Sequence, residues 1–255
     1  MKEIDWNEWA LHSEIEFSKA LGGKPVEYSS FIHIHNDTVP WGNDYNRTVG
    51  VRISGFESFD EVVEQVETIH KHKKLERPNR YDIYPPALDN EIWDDFLLKR
   101  GFRLRTAVFF CSRTIDEQLP SELRLYSPSE GEYIQWFHNQ QKSRDYYNEE
   151  WFHKVKPCKL KFIKTFEPYW LLRHGDMVGW VYCARLGEYC SLFEVEIKNE
   201  FRNQGLGQML LRAIRIEGKK RAARFVLLQS SERLKKYYEK AGFEECSRNS
   251  VIWLC

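Results

Sequence analysis

The stretch "IKNEFRNQGLGQMLLRAIRIEGKKR" (197–221) decides the fold. It opens as the end of a strand, "LFEVEIK" (192–198), passes through Arg202, and becomes helical after Gly205 and Gly207. The chain has only 14 glycines, so two of them two apart at a helix start need a reason. Missing side chains at 205 and 207 leave the first-turn N–H groups open to solvent. Four unpaired donors and the positive end of the helix dipole then form an anion site. A helix start with two glycines is also structurally cheap, so the motif alone leaves both readings open.

Working outward, "PYWLLRHGDMVGWVYCARLGEYCSLFEVEIK" (168–198) reads as three successive strands. His174-Gly175-Asp176 turns the first pair and Gly187-Glu188 the second. "LRLYSP" (123–128) is an earlier strand, and "SEGEYIQWFHNQQK" (129–142) a helix opened by an N-cap serine. "NEEWFHKV" (148–155) predicts a short second helix. On the far side come the strand "RFVLLQ" (224–229), a helix ending in "KKYYEKAGF" (235–243), and a last strand rich in apolar residues.

The same order of strand, helix, strand, helix and strand recurs upstream: "RTVGVRIS" (47–54), "SFDEVVEQVETIHKHKK" (58–74), "RYDIYP" (80–85), and "DDFLLKRGFRLRTAVFFC" (94–111). The repeat lies in the pattern rather than in identical residues. "FIHIHND" (31–37) is one more strand, Trp6 and Trp9 stand on a leading helix, and 38–46 has no assignment. Two related domains follow, 1–118 and 119–255, joined through the polar run "SRTIDEQLPSEL" (112–123) with Pro120.

Composition narrows the function. Lys plus Arg and Asp plus Glu both number 38, which gives no reason to expect a nucleic-acid or anionic-membrane partner. No run approaches the ~18–20 apolar residues of a membrane span, and the start lacks the apolar core of a signal peptide. Cys111, Cys158, Cys183, Cys190, Cys246 and Cys255 show no C-x-x-C pair or metal spacing, which predicts packing thiols in a cytoplasmic protein; a hairpin disulfide between Cys183 and Cys190 is the alternative.

"IKNEFRNQGLG" (197–207), "YYEKAGF" (237–243) and the "HGDMVGWVYC" hairpin (174–183) together resemble the GNAT acyltransferase superfamily over residues 122–255. The first half is similar by pattern only, so the whole resembles a tandem GNAT protein with a degenerate first copy. The fold implied is α/β (α+β): two domains, each a mixed, mainly antiparallel sheet flanked by helices. A splayed parallel strand pair, Leu192–Lys198 and Phe225–Gln229, would hold the pantetheine arm of acetyl-CoA, the expected co-substrate.

The resemblance implies cofactor contacts at Val195, Ile197, Arg202, Asn203, Gln204, Gly205, Leu206, Gly207 and Ser231. The pyrophosphate would sit on the N–H groups of 202–207, and the amide of Ile197 near the thioester carbonyl, where it would stabilise an oxyanion. Tyr238 matches the family's general acid, and a phenol near pKa 10 suits protonating a thiolate; packing on the last helix is the alternative. Strand alternation puts Phe193, Val195 and Ile197 toward the core helix, and Glu194 and Glu196 together on the other face as candidate bases. Two solvated glutamates fit that face equally. Many members of the family carry a glutamate where this chain has Ser191.

In the first copy Phe59, Asp60, Glu61 and Glu64 stand where the second has glycines, and their charges would oppose a phosphate at the helix start. That copy is expected to bind no CoA. His33 and His35 share a strand face without a third ligand, so no metal is expected. "HKHKK" (70–74) and "GKKRAAR" (218–224) are cationic helix ends that suit the dipole. The run "DYYNEEWF" (145–152) lies where acceptor-facing helices fall, as pocket wall or core.

The expectation is therefore an N-acetyltransferase acting on a primary amine, of a small molecule or a protein, by direct attack on the thioester. A non-catalytic acyl-CoA sensor and a scaffold of two inert copies are the alternatives. A monomer and a homodimer both fit.

Overall fold

The computed structural model describes residues 4–39, 46–75, 80–83, 90–142 and 148–254. They form two compact units, Met1–Val108 with Ser247–Cys255, and Phe109–Cys246. These limits differ from a boundary at 118/119 in two ways. The junction falls inside a strand, and the last residues of the chain join the first unit.

Unit 1 runs α1 (Trp6–Ala20), β1 (Lys24–Glu27), β2 (Ile32–His35), β3 (Arg47–Val51), α2 (Phe56–Lys73), β4 (Arg80–Ile83) and α3 (Asn90–Leu98), and enters β5 (Phe102–Arg113). Strand β1 has four exposed residues and no alternation, so nothing in the sequence marks it. β1 pairs with β2 and β2 with β3 antiparallel, while β3 and β4 are parallel. The other side of β4 is taken by the C-terminal strand, with Ser250 opposite Ile83 and Val251 opposite Asp82. Phe59, Val62 and Val66 of α2 recur at helical spacing and are buried with Tyr81, Ile83, Trp93 and Phe102. Each such side chain contributes about 1.5–3 kcal/mol by leaving water. On α1, Glu14 forms an ion pair with Arg47 of β3, both 2% exposed or less.

Unit 2 continues with β6 (Leu123–Tyr126), α4 (Glu130–Lys142), α5 (Glu149–Phe162), β7 (Glu167–Arg173), β8 (Asp176–Leu186), β9 (Tyr189–Ile197), α6 (Leu206–Lys220), β10 (Phe225–Ser231) and α7 (Lys235–Lys240), and enters β11 (Glu244–Leu254). Its strand order is β5-β10-β9-β8-β7-β6. The three-strand run and both turns fall where the glycines place them: His174, Gly175 and Gly187 all have positive φ. The Ser129 hydroxyl accepts from the Glu132 N–H at the start of α4, and the Glu132 carboxylate accepts from the Ser129 N–H. Helix α5 is longer than the predicted 148–155. Asn148 caps it, and it runs through Pro157 to Phe162 because Phe152, Val155, Cys158 and Phe162 bury one face. Burial of that stripe outweighs the hydrogen bond that proline removes.

The polar run after β5 is tied down. Thr114 and Ile115 donate to the carbonyls of Arg224 and Arg215, and Arg212 pairs with Glu117. Cys111, Cys158, Cys183, Cys190 and Cys246 are free thiols. Cys255, residues 84–85 of "RYDIYP" and 145–147 of "DYYNEEWF" lie outside the described residues. No helix among the described residues is long and apolar enough to cross a membrane.

Candidate active site

The parallel pair β9 and β10 is joined from Tyr189↔Phe225 to Leu192↔Leu228 and no further. Beyond Leu192 the two strands part. The reason is local: Glu194 has φ 51, and the register with β8 shifts by one residue between Tyr182↔Phe193 and Trp180↔Glu196. A bulge of this kind bends its strand and breaks the ladder. An opening of about 730 Å³ results, lined by Val195, Glu196, Ile197, residues 201–203 and 205–208, and Arg233, Leu234, Tyr237 and Tyr238.

The bulge also corrects the expected alternation. Phe193 does not share a face with Ile197. It packs against Phe166, ring centroids 5.2 Å apart, and Phe166 stacks on Phe162 of α5. Ile197 stays on the α6 side, where its Cγ1 is 3.6 Å from the position a Cβ on Gly207 would take. Glu194 and Glu196 do lie on the α4/α5 side. Glu194 approaches Lys159 Nζ at 3.8 Å, and Glu196 sits opposite Trp180, which packs on Trp136.

Helix α6 starts at the mouth of this opening. Gly205 is its N-cap at φ 73, with nothing within 4 Å of a Cβ added there. Leu206 and Gly207 begin the helix, and their N–H groups have no intrahelical acceptor. The two glycines therefore do different work. Gly205 supplies a left-handed turn in open space. At Gly207 a Cβ would fall 2.1 Å from the Tyr237 hydroxyl, so this position is bare to admit Tyr237. From the sequence both glycines are expected to clear a path for phosphate; open space is found at Gly205, and Tyr237 occupies it at Gly207.

Of the residues singled out in the sequence, Val195, Glu196, Ile197, Arg202, Asn203, Gly205, Leu206, Gly207 and Tyr238 line the opening together. Glu194, Gln204 and Ser231 do not. The side chain of Gln204 instead accepts from Arg173 at 3.0 Å. Arg202 forms an ion pair with Glu196 and donates from Nε to the Ile197 carbonyl at 3.1 Å. Phe201, Gln208, Arg233, Leu234 and Tyr237 line the opening but escaped sequence reasoning. The neighbourhood of Tyr237 to Tyr238 was the one available signal.

Tyr238 is 7% exposed, stacked on Phe110 at 5.0 Å between ring centroids. Burial raises its pKa, and a hydrogen bond with the Ser230 side chain opposes part of that rise. Its hydroxyl thus holds its proton through the neutral range. A thioester substrate fits this set of groups: an unpaired strand edge for amides, bare helix N–H groups for an anion, and a protonated phenol between β10 and α7.

Unit 1 contains the corresponding strand–helix crossing, from β3 into α2. The first-turn acidic residue is Glu57, not Asp60. Asp60 lies in the second turn and is held by two hydrogen bonds of 2.9 Å from Arg100. Repulsion by Asp60 is therefore largely compensated. What fills the helix start is Phe56, stacked on Phe96 at 4.2 Å and edge-on to Trp93 at 4.7 Å. The N–H groups of Ser54 and Gly55 are satisfied by the Ser58 hydroxyl.

A family model for the acetyltransferase (GNAT) domain matches residues 166–245. No curated protein matches the sequence. Among solved structures, a functionally unknown conserved protein from Staphylococcus epidermidis superposes with a TM-score of 0.70 at 14% identity, over 95% of this chain and 98% of that one. A GCN5-related N-acetyltransferase from Kribbella flavida gives 0.67 at 12% identity over 99% and 96%. A tandem GNAT protein from the clavulanic acid biosynthesis pathway gives 0.52 at 13% identity over 88% and 78%. At these identities the structures establish likeness of fold, and the family model adds the domain that contains the opening. Residues 166–245, which contain the opening, are thus similar to the acetyltransferase (GNAT) domain.

Proposed function

We propose that the protein transfers an acyl group, most simply acetyl, from acyl-CoA to a primary amine, with the thioester held between β9 and β10. The observation that carries this is the coincidence of three features at one end of unit 2. Strand pairing stops at Leu192↔Leu228, the α6 start opens at Gly205, and Tyr238 lines the same space. The diphosphate would lie on the N–H groups around Leu206 and Gly207, beside Arg202. The pantetheine amides would pair with the free edge of β9 beyond Leu192. One such donor near Ile197 would steady the oxyanion.

In the chemical step the neutral amine nitrogen attacks the thioester carbonyl carbon. The C–N bond forms, the C–S bond breaks, and the departing sulfur takes the Tyr238 proton. The ammonium proton passes to a carboxylate or to water, and the tyrosinate is reprotonated from solvent. Acceptors on a small molecule and on a protein both suit this chemistry.

A second reading, an acyl-CoA-binding protein without turnover, is favoured by one observation. Both candidate bases already have cationic partners, Glu196 in Arg202 and Glu194 in Lys159. Tyr238→Phe separates the two readings, since it keeps the ring and removes only the proton donor. For an acid catalyst, turnover falls about 10²- to 10⁴-fold. CoA affinity by calorimetry stays put. A variant with unchanged turnover removes Tyr238 as the acid, and a wild-type protein that binds CoA and acylates no amine selects the second reading.

A further inference from the structure

Four side chains stand directly opposite one another across four neighbouring strands of unit 2. Tyr126 of β6 faces Trp170 of β7, Trp170 faces Trp180 of β8, and Trp180 faces Glu196 of β9. Directly paired residues share a sheet face, so this row lies wholly on the α4 side. At about 4.8 Å per strand it spans about 14 Å and ends at the opening beside α6. Trp136 of α4 packs on it, 6.0 Å from the Trp170 ring and 5.2 Å from the Trp180 ring. None of these rings is fully buried.

The charges along the row are already matched. Glu196 has Arg202, Glu194 has Lys159, and the Glu132 carboxylate accepts from the Tyr126 hydroxyl at 2.8 and 2.9 Å. A polycation needs carboxylates without partners, and this face presents aromatic rings instead. Two buried donors, the indole N–H groups of Trp136 and Trp170, have no acceptor among the described residues. A buried donor without a partner is costly, and a ligand bearing an acceptor atom relieves that cost.

We infer that the row Tyr126–Trp170–Trp180 is the acceptor track, and that the acceptor is a monoamine on an apolar, ring-sized body carrying a hydrogen-bond acceptor, rather than a polyamine. This rests on the proposed acyl transfer for its chemistry, but not for its binding test. The ring faces hold the body by stacking, and cation–π attraction guides the ammonium before it loses its proton near Glu196.

The test titrates tyramine, phenethylamine and spermidine into the full chain by calorimetry, with and without saturating CoA, and measures KM for each in the acetyl transfer assay. Both aryl amines should bind at least about 10-fold tighter than spermidine, tyramine the tighter of the two. Trp180→Leu and, separately, Trp170→Leu should weaken aryl-amine binding about 10-fold and leave CoA affinity unchanged. Spermidine binding as tightly as the aryl amines, no aryl-amine binding, or full affinity in both variants would overturn the track. Failure of CoA itself to bind would instead remove the acyl-transfer reading, while amine binding without CoA still decides the track.

Discussion

The β3–α2 crossing of unit 1 and the β9–α6 crossing of unit 2 are built alike up to one residue. Each strand carries a bulge at a residue with positive φ, Gly50 at 63° and Glu194 at 51°. In each, pairing with the antiparallel neighbour shifts by one past that point: Val49 faces Ile32 while the Arg52 N–H reaches the Ser30 carbonyl, and Phe193 faces Tyr182 while Glu196 faces Trp180. The crossings diverge on the parallel side. The β3–β4 pair continues past the bulge to Val51↔Ile83, whereas β9–β10 stops before it at Leu192↔Leu228. Beyond the strand, one helix start is filled by Phe56 and its aromatic neighbours and the other is bare at Gly205. A site of this kind is therefore made by where pairing stops and what covers the helix end. Asp60 near that end matters less, because it is matched by Arg100.

The largest effect that would break this comparison is expected at Gly205. Gly205→Glu forces a side chain into a left-handed conformation and adds a like charge where a diphosphate would sit. At an effective dielectric near 20, a charge pair at ~4 Å is worth about 4 kcal/mol before screening, against about 0.3–1 kcal/mol for the exposed helix dipole. CoA binding should fall below detection by calorimetry while circular dichroism stays native. Retained affinity would mean the α6 start is not the phosphate site.

Acid should act on unit 1 next. His33 is fully buried beside His70, 4.9 Å between ring centroids, with His35 and Lys73 also near and the Thr48 hydroxyl 3.2 Å away. Burial first, then His70, His35 and Lys73, lowers its pKa from 6.5 to about 3. The unfolded chain thus binds a proton that the folded chain refuses. This contribution to stability is complete above pH 6.5 and is lost as pH falls toward 3, on the order of several kcal/mol in all. Denaturant midpoints measured from pH 7 to 4 should fall steadily, and His33→Phe should flatten that slope. An equal slope in the variant would place the acid sensitivity elsewhere.

A smaller effect sharpens the bulge comparison. Gly50→Ala meets both a positive φ and Leu11 side-chain carbons at 3.3 Å, so it should cost about 1–3 kcal/mol. Glu194→Gly removes strain of about 1 kcal/mol but leaves Lys159 without its carboxylate, so its midpoint should move far less. Equal losses would mean the two bulges are not equivalent.

Much of unit 2 was legible because its signals are local. The turns at His174-Gly175 and Gly187, the Ser129 cap and the glycine at the α6 start each act within a few residues. What escaped is non-local or lacks a residue signature. Glu194 holds a bulge without being glycine or asparagine, and that single residue reversed the face of Phe193. Gly207 is bare for Tyr237, thirty positions away, and Arg202 is engaged by Glu196. The C-terminal strand completes unit 1 beside β4 because pairing, not chain order, decides its neighbour. The charge argument for the first copy loses its Asp60 part to Arg100, which no local pattern ties to Asp60.

The most direct test of the account is the number of CoA molecules bound per chain. Calorimetric titration of the full chain should give one, with protection from hydrogen exchange at 192–208 and 229–238 and none at 47–65. Two molecules per chain, or protection at 47–65, would contradict it.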